Sequence, residues 1–576
     1  MKDDTMTKQG ADAVNRRRPA TENRWQMALG LLLGRERAVL ALLVATRIGM
    51  GFCDLLLAAA MYVVFLLLQG GAPTQRVWMP KTVLSASCLT MALVLARIVV
   101  DIGSTTWMVR FTQSLHGSFL VRLTEGYGQL RWSQFVQRNR SEMLKHCTST
   151  ALDASYSYQM FIEVIASSVV VCLFAFALVY QSPKLAISLG LVTLPLYALH
   201  RFGMRDRLTV AAAERESSLR LLQRAVTETL AANKEVRTYR NQSFFHGRIR
   251  DEATRVAASN VRLAALPQVA RVLAEQGVVV LFLGIVIAVE LRHGPMRQML
   301  SLLVFYFVVS RRILPMVSTL ALTFGQLEGA YENVQIISQE LHDCMVYRSA
   351  PAALDPPSVG FVLEIADLSF SYEDGTRILR GLNLRVRAGE IVILRGVSGS
   401  GKSSLLNLVA GVSHPDSGSM RLDRGSVAYV PQEITLLDDS IRNNLLFGLR
   451  EASDAELFEC LAAVNLGEFV ASLPAGLDTR VGDNGVLFSG GQRQRLGLAR
   501  AMARHVSLLL LDEATSALDD ENERHVLKNL ASRRVAILMV THRTDGHQFA
   551  DRTQRLEGGM LVDSIPAFEG EAVSRR

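Results

Sequence analysis

Charge is scarce in this sequence. Only 20% of its 576 residues are Asp, Glu, Lys or Arg, against 49% hydrophobic residues, and the mean hydropathy is +0.21. Such a composition excludes a disordered chain, and a positive mean hydropathy over this length argues against a wholly soluble one. Cysteine is scarce too: there are six, Cys53, Cys88, Cys147, Cys172, Cys344 and Cys460. No two form a Cys-x-x-Cys pair, so neither a disulfide framework nor a zinc site is expected. Most sit in apolar or helical stretches, as small buried side chains do. No basic cluster is long enough for a nucleic-acid surface, although the net charge is +8. That excess fits the basic bias of cytoplasmic loops in a membrane protein. No apolar core with a cleavage site follows Met1 closely enough to read as a secretory signal.

The apolar residues are unevenly spread. Long runs crowd into residues 37–330, while 360–560 have an ordinary soluble composition. The expected organisation is a tail with a short interfacial helix over 1–36, a transmembrane domain over 37–346, a Pro-rich linker over 347–360, and a soluble domain over 361–576. Arg16-Arg17-Arg18 ahead of the first span predicts a cytoplasmic N-terminus, and Trp25 suits headgroup depth. About 20 apolar residues cross a bilayer. Candidate spans lie at roughly 38–68, 82–104, 159–181, 185–204, 270–291 and 298–323. Six spans return the chain to the cytoplasm, where the soluble domain then lies.

The two inward segments, 105–158 and 205–269, are long, charged and helical in pattern. Each continues its span and turns at an aromatic patch, near Gly128-Gln-Leu-Arg-Trp-Ser-Gln-Phe135 and Arg240-Asn-Gln-Ser-Phe-Phe245. About 25 extra residues per arm would project on the order of 35 Å, far enough to touch a soluble domain. Charges inside spans are functional candidates. Arg97–Asp101 and Arg271–Glu275 have i,i+4 spacing and are expected to pair locally. Arg47 and Asp54 share a helical face. With Arg311 and Arg312, just before Pro315, they are the candidates to line a polar cavity that meets an anionic substrate.

In the soluble domain, Glu390-Ile-Val-Ile-Leu-Arg runs into Gly396-Val-Ser398-Gly399-Ser400-Gly401-Lys402-Ser403-Ser404, and an apolar helix follows. This is G-x-x-x-x-G-K-[ST] in a strand–loop–helix context. Glycines let backbone N–H groups wrap phosphates at a helix N-terminus, where Lys402 reaches the outer phosphates of ATP. The Ser403 hydroxyl is placed to hold Mg²⁺. Downstream, Leu-Leu-Leu-Leu-Asp512-Glu513 reads as a buried strand ending in two carboxylates. Asp512 suits the metal, and Glu513 suits proton abstraction from an attacking water.

Between these lies Phe488-Ser489-Gly490-Gly491-Gln492, which resembles the signature motif of ABC ATPases, with Phe in the usual Leu position. Others of that family's motifs stand in order: Tyr372 matches the adenine-stacking aromatic, Gln432 the Q-loop residue that also meets the metal, Ser516-Ala-Leu-Asp519 the D-loop, and His542 the switch histidine. The whole chain resembles an ABC exporter half-transporter, which implies an exporter-like (type IV) six-helix α-helical membrane bundle plus an α/β P-loop ATPase domain. It further implies ATP and Mg²⁺ as cofactors and an inner-membrane location. The resemblance also implies a dimer, most simply a homodimer though a heterodimer stays open, in which one phosphate loop faces the partner's signature motif. The aromatic tips would be its coupling helices, and Lys234-Glu-Val-Arg237 is also familiar from exporters.

Phe135-Val-Gln-Arg-Asn-Arg-Ser141-Glu142-Met-Leu-Lys, Asp54, Leu266-Pro267 and Arg312-Ile-Leu-Pro315 are similar to the lipid-linked oligosaccharide flippases of bacterial N-glycosylation. That resemblance implies a lipid or amphipathic cargo among membrane lipids. Two features differ: the loop from Gln69 to about Lys81 is shorter than that family's external helix, and the stretch between Asp423 and Gly425 is nearly absent. Export of a drug, peptide or siderophore, uptake by an exporter-shaped protein, and a membrane ATPase acting as a regulator are the alternatives.

Overall fold

The computed structural model describes residues 24–69, 82–181 with 183 and 187, 205–291, 296–349 and 355–563, less short breaks at 374, 423–426, 450, 483–484, 534 and 543–548. The chain divides into two compact units. One holds Met1–Gly128 with Arg140–Met345, and the other holds Gln129–Asn139 with Val346–Arg576.

The first unit is helical. A short helix, α1 (Arg24–Leu31), leads into α2 (Gly34–Leu68) and α3 (Val83–Gly128). After α4 (Trp132–Gln137), which belongs to the second unit, α5 (Arg140–Lys145) passes through a π-turn at His146–Thr150 into α6 (Ala151–Gln181). Then come α7 (Arg205–Ala231), α8 (Asn233–Thr238), α9 (Gln242–Leu291) and α10 (Met296–Val346). Among the described residues, three stretches are long and apolar enough to cross a membrane: Gly34–Leu68, Val83–Gly128 and Arg140–Tyr180. The expected fourth span, 185–204, lies outside the described residues except at 187. The fifth and sixth fall on α9 and α10. The 46 residues of α3 run about 70 Å, over twice the thickness of a hydrocarbon core, so this helix continues well beyond any bilayer.

The carbonyls at the end of α1 are satisfied by long-range donors, which pins this short helix. The Tyr158 hydroxyl donates to the Ala28 carbonyl at 2.6 Å, and Arg122 Nη1 to the Leu31 carbonyl at 2.8 Å. The charges of the first two spans pair differently from the local expectation. Arg97 pairs with Asp54 rather than Asp101, and Asp101 pairs with Arg47 at 3.7 Å. Both ion pairs cross between α2 and α3. An i,i+4 contact satisfies only one helix, whereas a crossed pair neutralises charges on both helices where no water can. Replacing Arg97 by Leu is expected to cost up to ~3–5 kcal/mol, the range for breaking a buried pair, while Arg97→Leu with Asp54→Leu recovers most of the loss. Thermal unfolding of both variants in detergent checks this. A double variant no more stable than the single one would refute it.

The second unit is α/β. Strands β1 (Phe361–Ser371), β2 (Arg377–Arg387) and β4 (Ser417–Leu422) form an antiparallel sheet in the order β2-β1-β4. A six-stranded sheet has the order β5 (Val427–Val430), β6 (Leu508–Asp512), β7 (Ala536–Val540), β3 (Ile391–Arg395), β8 (Arg552–Glu557), β9 (Met560–Asp563). Its first five strands are parallel, and β9 runs antiparallel to β8. Leu508–Leu511 and Ala536–Val540 are fully apolar and buried, as strands covered on both faces must be. One face packs against α12 (Ile441–Leu446), α13 (Asp454–Ala463), α14 (Gly467–Ser472), α15 (Gly490–Met502) and α16 (Asp520–Ser532), the other against α11 (Lys402–Val409) and the small sheet. The C-terminal ends of β3, β6, β7 and β5 therefore lie side by side, the position at which open parallel sheets bind ligands.

Candidate functional site

The phosphate loop leaves the end of β3 and enters α11. Gly396, Gly399 and Gly401 have φ of +154°, +78° and +104°. A Cβ at Gly396 would stand 2.6 Å from both the Leu556 carbonyl oxygen and Ser400 Oγ, so no other residue fits there. Lys402 is buried, and its ammonium donates to the carbonyls of Gly396 at 2.8 Å and Val397 at 3.0 Å, folding the loop around a positive charge. Ser400 Oγ is buried with no hydrogen-bond partner. An unsatisfied hydroxyl beside a buried cation and a helix N-terminus fits a phosphate ligand. Ser398 is exposed on the same loop.

Two further pairs join the loop to neighbouring strands. The Ser403 hydroxyl donates to Asp512 Oδ1 at 3.4 Å, and the Tyr372 hydroxyl shares a hydrogen bond with Ser404 Oγ at 2.8 Å. The other oxygen of Asp512 accepts from the Tyr429 hydroxyl at 3.1 Å. Burial, then the Asp512 charge, push the Tyr429 phenol above its usual range, so it stays a donor at neutral pH. Ser403, Asp512 and nearby Gln432 form a hard-oxygen donor set that fits Mg²⁺.

Glu513 lies at the centre of the site. Its backbone takes φ +50°, an uncommon conformation for a non-glycine residue, and its N–H is tied to the Val540 carbonyl at 3.0 Å. The carboxylate is held from two sides: Gln432 Nε2 donates to Oε2 at 3.0 Å, and His542 Nε2 lies 3.1 Å from Oε1. Residues from three separate sequence segments thus converge on one carboxylate. The signature residues are gathered at the start of α15. Ser489 Oγ accepts from the Gln492 N–H at 3.2 Å, while the Ser489 N–H donates to Gln492 Oε1 at 2.8 Å, a reciprocal capping box. It leaves Gly490 and Gly491 as bare backbone at a helix N-terminus.

Three groups escaped the sequence reading. Tyr429 stands three residues before Gln432, and its position near the tip of β5 is the signal available. Gln494 stands two residues after Gln492 and is buried. Glu373 follows the aromatic Tyr372 and accepts from the Ser133 hydroxyl at 2.7 Å and from the Gln134 side-chain amide, both on α4. On that helix Trp132 and Phe135 stack at 5.5 Å. At the second aromatic tip, Tyr239 and Phe244 are exposed.

Of the substrate candidates, Arg47 faces Asp101 and also donates to the Thr105 hydroxyl at 3.2 Å, but its Nε is buried with no hydrogen-bond partner. Asp54 is buried against Arg97. The side chains of Arg311 and Arg312 lie outside the described residues.

Two family models match, the ABC transporter transmembrane region over residues 47–311 and the ABC transporter domain over 379–516. An uncharacterized ABC transporter ATP-binding protein of Sinorhizobium fredii is 35% identical over 42% of this chain and 43% of its own length. An ATP-dependent lipid A-core flippase of Burkholderia pseudomallei is 43% identical over 35% of this chain and 37% of its own length. The chain thus spans about two fifths of the length of these two relatives. A third relative, the ATP-dependent lipid A-core flippase of Syntrophus aciditrophicus, is 29% identical over 69% of this chain and 68% of its own length. Among solved structures, a bacterial Atm1-family ABC exporter with ATP bound superposes with a TM-score of 0.68 at 20% identity, covering 91% of this chain and 95% of that one. That likeness concerns the fold.

Proposed function

The chain belongs to the ABC transporters, with the transmembrane region and the ATPase domain in one polypeptide, and from that premise we propose that it hydrolyses ATP to move an amphipathic molecule across a membrane. The observation that carries the reading is the convergence of Gln432 and His542 on Glu513, beside a phosphate loop with a buried lysine. Lys402 and the Gly396–Ser404 loop bind the phosphates, and Tyr372 stacks on the adenine. Glu513 takes a proton from water at a carboxylate oxygen. Gln432 and His542 hold that carboxylate in place, and the strained backbone of Glu513 fixes its direction. A Mg²⁺ ion held by Ser403, Asp512 and Gln432 would neutralise phosphate charge.

One chain supplies one phosphate loop and one signature motif. The working form we propose is a homodimer in which each Ser489-Gly490-Gly491-Gln492 caps the ATP held by its partner, with a second half-transporter as the alternative partner. Closure around ATP would switch the membrane domain from inward to outward access, and hydrolysis would reset it. The ATPase domain and N-terminus would face the cytoplasm of a cell bounded by an inner membrane. The residue span proposed for the membrane domain is 37–346, and for the ATPase domain 361–576.

The cargo we propose is an anionic lipid or glycolipid. The names of the lipid A-core flippases among the relatives support this, as does the unsatisfied buried N–H of Arg47 in the first span. The test is ATPase activity in lipid nanodiscs with lipid A-type glycolipids, polyprenyl-pyrophosphate glycans, phospholipids and hydrophobic drugs added in turn. Stimulation by one lipid class, lost in Arg47→Ala and Arg312→Ala, is expected. Turnover indifferent to every lipid would overturn the cargo, and stimulation by drugs alone would favour drug export.

A further inference from the structure

Gln494 lies one turn into α15, just past the signature residues, and only 6% of it is exposed. Its amide reaches both segments that flank Glu513. Nε2 donates to Ser516 Oγ at 3.0 Å and to the Gln432 carbonyl at 3.5 Å, and Oε1 accepts from the Ala517 N–H at 2.8 Å. The Gln432 side chain is itself bonded to the Glu513 carboxylate, and the Ser516 N–H donates to the Glu513 carbonyl at 3.0 Å. One buried amide therefore holds the two loops that set the Glu513 side chain and backbone.

The same helix is locked to those loops by shape. A Cβ on Gly491 would stand 3.1 Å from the Ala517 carbonyl oxygen, so the signature glycine and the 516–519 loop are in close contact. A Cβ on Gly497 would stand 2.6 Å from Ile434 Cδ1, because that side chain fills the notch the glycine leaves. Arg500 Nη1 donates to the Thr435 carbonyl at 3.0 Å. A shift at the N-terminus of α15 cannot leave the loops around Glu513 where they were, since interiors this dense transmit displacement.

We propose that Gln494 is a positioning residue that makes hydrolysis at Glu513 depend on the state of the signature end of α15. This rests on the dimeric reading above. The signature end meets the ATP of the partner, while Glu513 serves the ATP held by its own chain. Gln494 then links the two nucleotide sites of the dimer. It touches neither nucleotide. Its role is to carry engagement of one site to the carboxylate of the other.

The experiment measures ATP turnover against ATP concentration for the full chain in nanodiscs, with a fluorescent ATP analogue to read affinity. Gln494→Leu keeps the side-chain volume and removes every hydrogen bond. Gln494→Glu keeps the acceptor for Ala517 and loses the donor to Gln432 and Ser516. Both are expected to lower kcat by about ten- to hundredfold, the scale of one or two buried hydrogen bonds, with analogue affinity within about twofold. Both are also expected to lose the cooperativity of turnover in ATP, which a merely structural defect would not remove selectively. Turnover that stays cooperative in both variants, with kcat within about twofold, overturns the proposal alone. An unmodified protein that hydrolyses ATP without cooperativity overturns the proposed link between the sites, and one that runs as a monomer with ATP on size exclusion overturns the dimeric reading along with it.

Discussion

Glu513→Gln is expected to lower ATP turnover by about 10²–10⁴-fold, the usual contribution of a positioned general base. ATP binding should persist. The substitution keeps the volume of the side chain and its bonding to Gln432 Nε2, which today donates at 3.0 Å. It removes the negative charge, and with it both the ability to accept a proton and the acceptor that lies 3.1 Å from His542 Nε2. The phosphate loop is untouched, because Lys402 takes its contacts from Gly396 and Val397. In the dimeric reading, the variant should accumulate as a closed ATP-bound dimer, measurable as a mass shift on size exclusion in detergent. Turnover within tenfold of the unmodified protein would remove Glu513 from the base role, whatever the cargo.

The second large effect is expected at Gly396. Gly396→Ala must place a methyl group 2.6 Å from the Leu556 carbonyl oxygen, and at φ +154° the added Cβ is strained whatever the space. Backbone cannot yield as a flexible side chain can. The end of β3 is fixed by its parallel pairing with β7 and β8, so the loop itself must move. Strain of this kind is ~1–3 kcal/mol, and ATP affinity should fall by at least about tenfold. The carbonyl of Gly396 that now binds the Lys402 ammonium would shift with it. Titration with a fluorescent ATP analogue measures the loss. A thermal unfolding scan without nucleotide should show a much smaller change than the scan with ATP. Equal destabilisation in both would indicate a fold defect in place of a phosphate-loop defect.

The phosphate loop, the Asp512-Glu513 strand end and the signature glycines were legible from residue order because each is local. A strand, a turn rich in glycine and a helix start lie within a dozen residues, and the hydrogen-bonding needs of a phosphate select them. The helical character of the two long charged segments, 105–158 and 205–269, was legible for a similar reason, since Pro267 is the one proline in them and no glycine cluster interrupts their pattern. The crossed ion pairs were not. Arg97 and Asp101 have good local spacing, and only the approach of α2 to α3 reveals that Asp54 and Arg47 are the partners. Gln494 and Tyr429 were missed because an isolated Gln or Tyr has no spacing rule. Their importance appears only when three loops meet around one carboxylate.

By itself, the sequence determined that this protein has an apolar helical half and an ATPase half, and where a glycine-rich loop joins a strand to a helix. Those properties follow from composition and from contacts within a few residues. The tertiary structure alone decided how Gln432, Glu513 and His542 come together, which acid each buried arginine faces, and that residues 129–139 belong with the ATPase domain through Glu373. The physical reason is range. Backbone preference and phosphate chemistry act along the chain, whereas the partner of a buried charge or amide is whatever distant group the packing brings within hydrogen-bonding distance.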